Sequence, residues 1–209
     1  MFVTLRNGLS DLVTVVAGHL VKAGAVLKAG VQAESMRVRS HKPGRWTYDI
    51  LCTDGTTLDA EAVVLATPAY ISADLVRPLS PVAAGVMDSI PYASTATISL
   101  VYRAAEVGNR LEGFGFIVPR AEGRNLIAAT WTSQKWPYRA SDQDVSVRCY
   151  LGGVGREAIL DHDDQHLVHC VRSELASIVD LHAEPHYVEV NRWHRAMPQY
   201  TIGHLDRLA

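Results

Sequence analysis

The sequence predicts a mixed α/β (α+β) chain: a piece of a layered α/β sheet domain, joined to an antiparallel sheet with helices on one side. Three observations predict this. Leu9, Leu12, Val13, Val16 and Leu20 recur at helical spacing, which marks a helix with a single apolar stripe. The run Ala62-Val63-Val64-Leu65-Ala66 is continuously apolar before Thr67-Pro68, the pattern of a strand covered on both faces. From Ser94 to Leu151, short β-prone segments alternate with turns, as in an antiparallel sheet.

In chain order, residues 9–21 form the amphipathic helix, with one buried stripe, ending near 22–24. Strands are expected over 26–31, 36–40 and 46–52, the last with Tyr48, Ile50 and Cys52 on one face, and Asp54-Gly55 supplies the next turn. The doubly buried strand is placed at 61–68. Short helices follow at 69–76 and 81–88, then strands at 94–103, 115–118, 126–131 and 145–151. Asp163 or Asp164 can cap a helix running through Leu167, Val171, Leu175 and Ile178. Glu184-Pro185 introduces a last strand at 186–193. The chain carries no internal repeat and no low-complexity linker.

With 209 residues, 48% of them hydrophobic, the chain can bury a substantial core as one large domain or two small ones. Its formal net charge of −2 comes from interspersed acids and bases, which argues against a nucleic-acid partner. Cys52, Cys149 and Cys170 are odd in number and widely spaced, a usage that suits a reducing compartment; the expectation is cytoplasmic. No stretch approaches the roughly 18–20 apolar residues that span a bilayer. The start lacks the order of regions found in a signal peptide.

Two local patterns imitate other chemistry. Gly153-x-Gly155-x-x-Ala158 follows a predicted strand, like a dinucleotide fingerprint, but Asp161-His162-Asp163-Asp164 interrupts the helix such a turn must open. His162, His166 and His169 could share a helix face with metal-ligand spacing. Capping at Asp163 or Asp164 instead leaves His162 outside the helix and favours a solvated face, so no metal is expected. Gly-x-Ser-x-Gly and Walker motifs are absent.

Four segments carry a family resemblance. They are Thr4-Leu5-Arg6-Asn7-Gly8-Leu9 with Leu12-Val13, then Ala62-Val63-Val64-Leu65-Ala66-Thr67-Pro68-Ala69, then Gly113-Phe114-Gly115-Phe116-Ile117-Val118-Pro119, and finally Trp193-x-x-Ala196-Met197-Pro198-Gln199-Tyr200-x-x-Gly203-His204. In this order and spacing the chain resembles the protoporphyrinogen/coproporphyrinogen oxidases, FAD enzymes built like monoamine oxidase. The first two segments are widespread among such flavoproteins; the last is fairly specific, and coverage is essentially the whole chain.

The resemblance implies an incomplete FAD-binding domain at 1–68 and 196–209, flanking a substrate domain at 69–195. It implies FAD contacts at Val31, through its backbone, and at Trp193. Phe114, Gly115, Ile117 and Tyr150 match positions lining a tetrapyrrole pocket, where an aromatic ring and bare backbone suit a flat apolar macrocycle. Read without the resemblance, Val31 is a plain strand residue, while Trp193 and Phe114 are core residues. His204 and Tyr200 could accept protons, although a structural role is preferred for both.

The implied reaction is porphyrinogen oxidation by hydride transfer to FAD, with molecular oxygen as acceptor and hydrogen peroxide as by-product. Two alternatives stand beside it: an inactive fragment that at most binds a porphyrin, and another amine-oxidase-like flavoenzyme such as a desaturase. The family's Gly-x-Gly-x-x-Gly opening and its C-terminal flavin segment have no counterpart in this sequence. The chain is therefore expected to be the centre of a longer enzyme and not to retain FAD alone. The partly lipophilic substrate leaves room for a peripheral membrane contact, for which no segment argues. Neither oligomeric state nor the choice between the two porphyrinogens follows from these residues.

Overall fold

The computed structural model describes residues 3–42, 45–108 and 111–208. Two compact units emerge, Met1–Ile90 with Leu205–Ala209, and Pro91–His204. Both combine helices with antiparallel sheet.

The first unit begins with helix α1 (Ser10–Lys22). Its end is a Schellman turn: Ala25 N–H donates to Leu20 C=O and Gly24 N–H to Val21 C=O, with Gly24 at φ +90°. Strands β1 (Ala33–Lys42), β2 (Arg45–Cys52) and β3 (Thr57–Ala60) make an antiparallel meander in that order. The expected Asp54-Gly55 turn lies between β2 and β3, where the Asp54 carboxylate accepts hydrogen bonds from the Thr56 amide and hydroxyl. Helices α2 (Ala69–Val76) and α3 (Pro81–Asp88) follow. Ser80 caps α3 by accepting from Ala83 N–H, and Pro81 occupies the first turn, where a missing N–H costs nothing. Arg77 ties the two helices by pairing with Asp74 and Asp88.

Three expectations for this unit fail, for a common reason. The stripe on α1 is not buried: Leu12, Val13, Val16 and Leu20 are exposed, and no residue of the helix is buried. Residues 26–31 form no strand, and β1 starts at Ala33. Residues 61–68 form no strand either, with Val64 91% exposed. A strand exists only when neighbours accept its hydrogen bonds, and an apolar stripe is buried only when another element packs on it. Among the described residues nothing does so for these three segments.

In the second unit, β4 (Tyr92–Arg103) leads through the short helix α4 (Ala104–Val107) to β5 (Gly115–Ile117) and β6 (Ala128–Trp131). Helix α5 (Thr132–Lys135), β7 (Asp144–Gly152), α6 (Asp164–Val179) and β8 (Tyr187–Pro198) follow, and α7 (His204–Leu208) begins at the unit's last residue. The strands form one antiparallel sheet ordered β5-β6-β7-β4-β8. This is the sheet expected from the alternating middle of the sequence, with β8 extended at its C-terminal end.

Strand alternation decides which face is covered. Ala96, Ile98 and Leu100 of β4 and Val147, Cys149 and Leu151 of β7 are fully buried, in one core with Leu167, Val171 and Leu175 of α6. Burying each such leucine or valine contributes about 1.5–3 kcal/mol. Asp163 caps α6 by accepting from His166 N–H at 2.8 Å. Midway along α6, the Glu174 carboxylate accepts from the amides of Asn125 and Leu126, anchoring the approach to β6. Arg192 of β8 grips the start of α6, donating to the carbonyls of Leu160 and His162 and pairing with Asp164. Burial pushes the Cys149 thiol and the Tyr102 hydroxyl well above their ordinary pKa values, so both stay protonated beneath the sheet. No helix among the described residues is long and apolar enough to cross a membrane.

Candidate functional site

The face of the second unit's sheet opposite α6 carries the candidate site. Directly paired residues of antiparallel strands project to the same side, so the register arranges this face in rows. One row runs Ile117, Ala128, Tyr150, Thr97, Asn191 across all five strands. Beside it lies Gly115, Thr130, Arg148, Ser99, Glu189, and on the other flank Gly152, Thr95, Trp193. Four residues named from the sequence, Gly115, Ile117, Tyr150 and Trp193, therefore share one face although they come from distant parts of the chain. Ile117 and Trp193 are exposed, at 80% and 52%, and Tyr150 is half-buried.

Between Tyr150 and Trp193 stand the small side chains Thr95, Thr97 and Ser99 of β4, and Ala128 and Thr130 of β6 lie on the other side of Tyr150. Trp193 Nε1 stands 3.5 Å from Thr97 Oγ1. Arg148 Nε donates to Ser99 Oγ at 3.4 Å. Small side chains beside exposed aromatic rings and a few fixed polar atoms are the chemistry that suits a planar apolar ligand.

Gly115 has a backbone reason to be glycine. Its φ is +134°, and a Cβ there would stand 2.1 Å from the Ala129 carbonyl oxygen. Only a bare backbone lets β5 approach β6 so closely. Phe114 directly precedes β5, is 54% exposed and stands outside the buried core. Its carbonyl accepts from Trp131 N–H, while Phe116 takes the core position, edge-on to the Trp131 ring at 5.6 Å.

Val31 belongs to the first unit, itself half-buried in an exposed loop before β1 and not in a strand. Its neighbour Gln32 exchanges hydrogen bonds with Thr53. The main-chain N–H and C=O of Val31 find no partner among the described residues, which suits the backbone contact the resemblance implies. The rings of Tyr200 and His204 lie 4.4 Å apart, tilted by 30°, with Tyr200 71% exposed.

The imitating motifs resolve locally. After Gly153 and Gly155 the chain forms a five-residue 3₁₀ turn, Glu157–Asp161, which presents no α-helix N-terminus to a pyrophosphate. His162 lies before the Asp163 cap and stacks on His166 at 4.0 Å. No group of three or more His, Cys, Asp or Glu side chains among the described residues is arranged to hold a metal ion.

Sequence reasoning missed Thr97, Ser99, Arg148 and Asn191. Alternation of Thr95, Thr97 and Ser99 with Ala96, Ile98 and Leu100 was a readable signal for the first two. Arg148 and Asn191 join them only through strand register.

Comparison with known proteins agrees with this architecture. The family described as flavin containing amine oxidoreductase matches residues 2–209. A coproporphyrinogen III oxidase of Bacillus subtilis (strain 168) is 31% identical over 99% of the chain and 42% of its own length. One from Propionibacterium freudenreichii subsp. freudenreichii is 32% identical over 100% and 37%. A chloroplastic protoporphyrinogen oxidase of Nicotiana tabacum is 28% identical over 99% and 38%. The chain thus spans about two fifths of the length of these curated relatives. Among solved structures, one described as a protoporphyrinogen oxidase from Exiguobacterium sp. 255-15 superposes with a TM-score of 0.82 at 24% identity, over 98% of this chain and 43% of its own. Putrescine oxidase bound to putrescine superposes at 0.70 with 14% identity, over 96% and 43%; both likenesses concern the fold. The match over nearly every residue, joined to the shared fold, places the chain in the flavin-containing amine oxidoreductase family.

Proposed function

We propose that this chain contributes the substrate-binding sheet of an FAD-dependent porphyrinogen oxidase, acting on coproporphyrinogen III or protoporphyrinogen IX. One observation carries the reading: similarity to coproporphyrinogen III oxidases extends over essentially the whole chain, including the strands that form the open face. In this reading the macrocycle lies over the small side chains of the open face, with Tyr150, Trp193 and Ile117 against its apolar surface. Burial and ring stacking supply affinity, and the polar atoms of Thr97 and Ser99 orient it.

In this reading each unit offers the flavin one residue. Val31 offers its unpartnered backbone and Trp193 its exposed ring, whereas the described residues include no Gly-x-Gly-x-x-Gly turn opening a helix. When bound, FAD supplies the hydride acceptor, and three two-electron cycles with oxygen convert porphyrinogen to porphyrin with release of three hydrogen peroxide molecules. The chain's own residues bind and orient the ring and keep one face of it from water. The functional division expected at 1–68, 69–195 and 196–209 belongs to this proposal.

The test is oxidation of each porphyrinogen in air by the chain supplied with excess free FAD. It is expected to generate porphyrin fluorescence and peroxide in step. Oxidation of primary amines with no porphyrin formation overturns the proposal.

A further inference from the structure

On the open face, Arg148 is the cation of the three rows; Ile117 and Tyr150 share the row next to its own, and Trp193 stands in the row beyond that. Its side chain is exposed, and its one hydrogen bond runs from Nε to Ser99 Oγ. Among the described residues no carboxylate pairs with it. Glu189 stands in the same row beyond Ser99, two strands or about 9–10 Å of backbone away, and forms no ion pair with it. The other strand arginines that flank the sheet are engaged: Arg103 pairs with Asp144, and Arg192 with Asp164 and two carbonyls.

Resting on the porphyrinogen reading, we infer that Arg148 receives a peripheral propionate carboxylate of the tetrapyrrole and so selects acidic macrocycles over neutral ones. The Ser99 hydroxyl fixes Nε and leaves the outer Nη edge of the guanidinium to meet both oxygens of a carboxylate, the geometry for which arginine is suited and lysine is not. Arg148 and Tyr150 are two residues apart on β7, about 7 Å along the strand. A ring stacked on Tyr150 therefore places the end of a short carboxylate arm over Arg148. Ser99 acts through Arg148 and is a positioning residue.

The test measures equilibrium binding of coproporphyrin III and of its tetramethyl ester to the 209-residue chain, by fluorescence, for wild type, Arg148→Ala and Arg148→Lys. Wild type is expected to prefer the acid, with a preference that falls as salt is raised. Arg148→Ala should weaken acid binding about tenfold, the scale of one charge-assisted contact, and leave ester binding unchanged. Arg148→Lys should recover part of the loss. Ester binding is the internal check on folding. Unchanged acid binding in Arg148→Ala, or equal loss of acid and ester, overturns the inference while leaving the proposed function standing. A wild type that binds neither macrocycle overturns both.

Discussion

Gly115 concentrates the logic of the site in one residue. The sequence presents it within a family-like strand, and the structure gives the physical cause, a backbone in the left-handed region pressed against the Ala129 carbonyl. Gly115→Ala must either swing that backbone or push β5 from β6, so it is expected to cost at least about 2 kcal/mol. Thermal unfolding measures the loss, and an unchanged melting temperature would show that β5 shifts freely. Phe114 and Trp193 make the opposite case. Taken alone, their size suggested core packing, yet both are half exposed: Phe116, next to Phe114, takes the core position against Trp131, and Trp193 of β8 faces the open side of the sheet beside Thr97.

Among the elements, α6 and the sheet were the most legible. Leu167, Val171 and Leu175 recur on one helix face, and the structure buries all three. The cap could be narrowed only to two aspartates; Asp163 takes the role because its side chain reaches His166 N–H. Asp163→Ala should therefore destabilise the protein by about 1 kcal/mol, whereas Asp164→Ala acts by releasing Arg192. Denaturant midpoints distinguish the two when Asp163→Ala is combined with Arg192→Ala: the effects add if the cap is independent of that grip. Residues 61–68 were the least legible. A continuous apolar run states that both faces would be covered, but contains no information on which strands would do so.

For the whole molecule, cofactor retention follows from what the residues can hold. In the proposed reading each unit offers FAD one contact, a backbone position at Val31 in the first and the ring of Trp193 in the second, and the described residues include no turn that cradles a pyrophosphate. The isolated 209-residue chain is expected to purify without stoichiometric flavin, and a flavin absorbance band at one per chain would falsify this.

The sequence by itself determined the class of fold, the helices over 69–76 and 81–88, the strand segments of the second unit and the family, since periodicity, turn chemistry and short motifs are local properties of a chain. Tertiary structure alone decided which face of the sheet stays open and which distant residues share it. Tyr150 and Arg148 meet Thr97, Ser99, Asn191 and Trp193 through pairings across β7, β4 and β8. Such register depends on hydrogen bonds between segments 40 to 100 residues apart, and shifting one strand by a single residue would send every side chain to the other face.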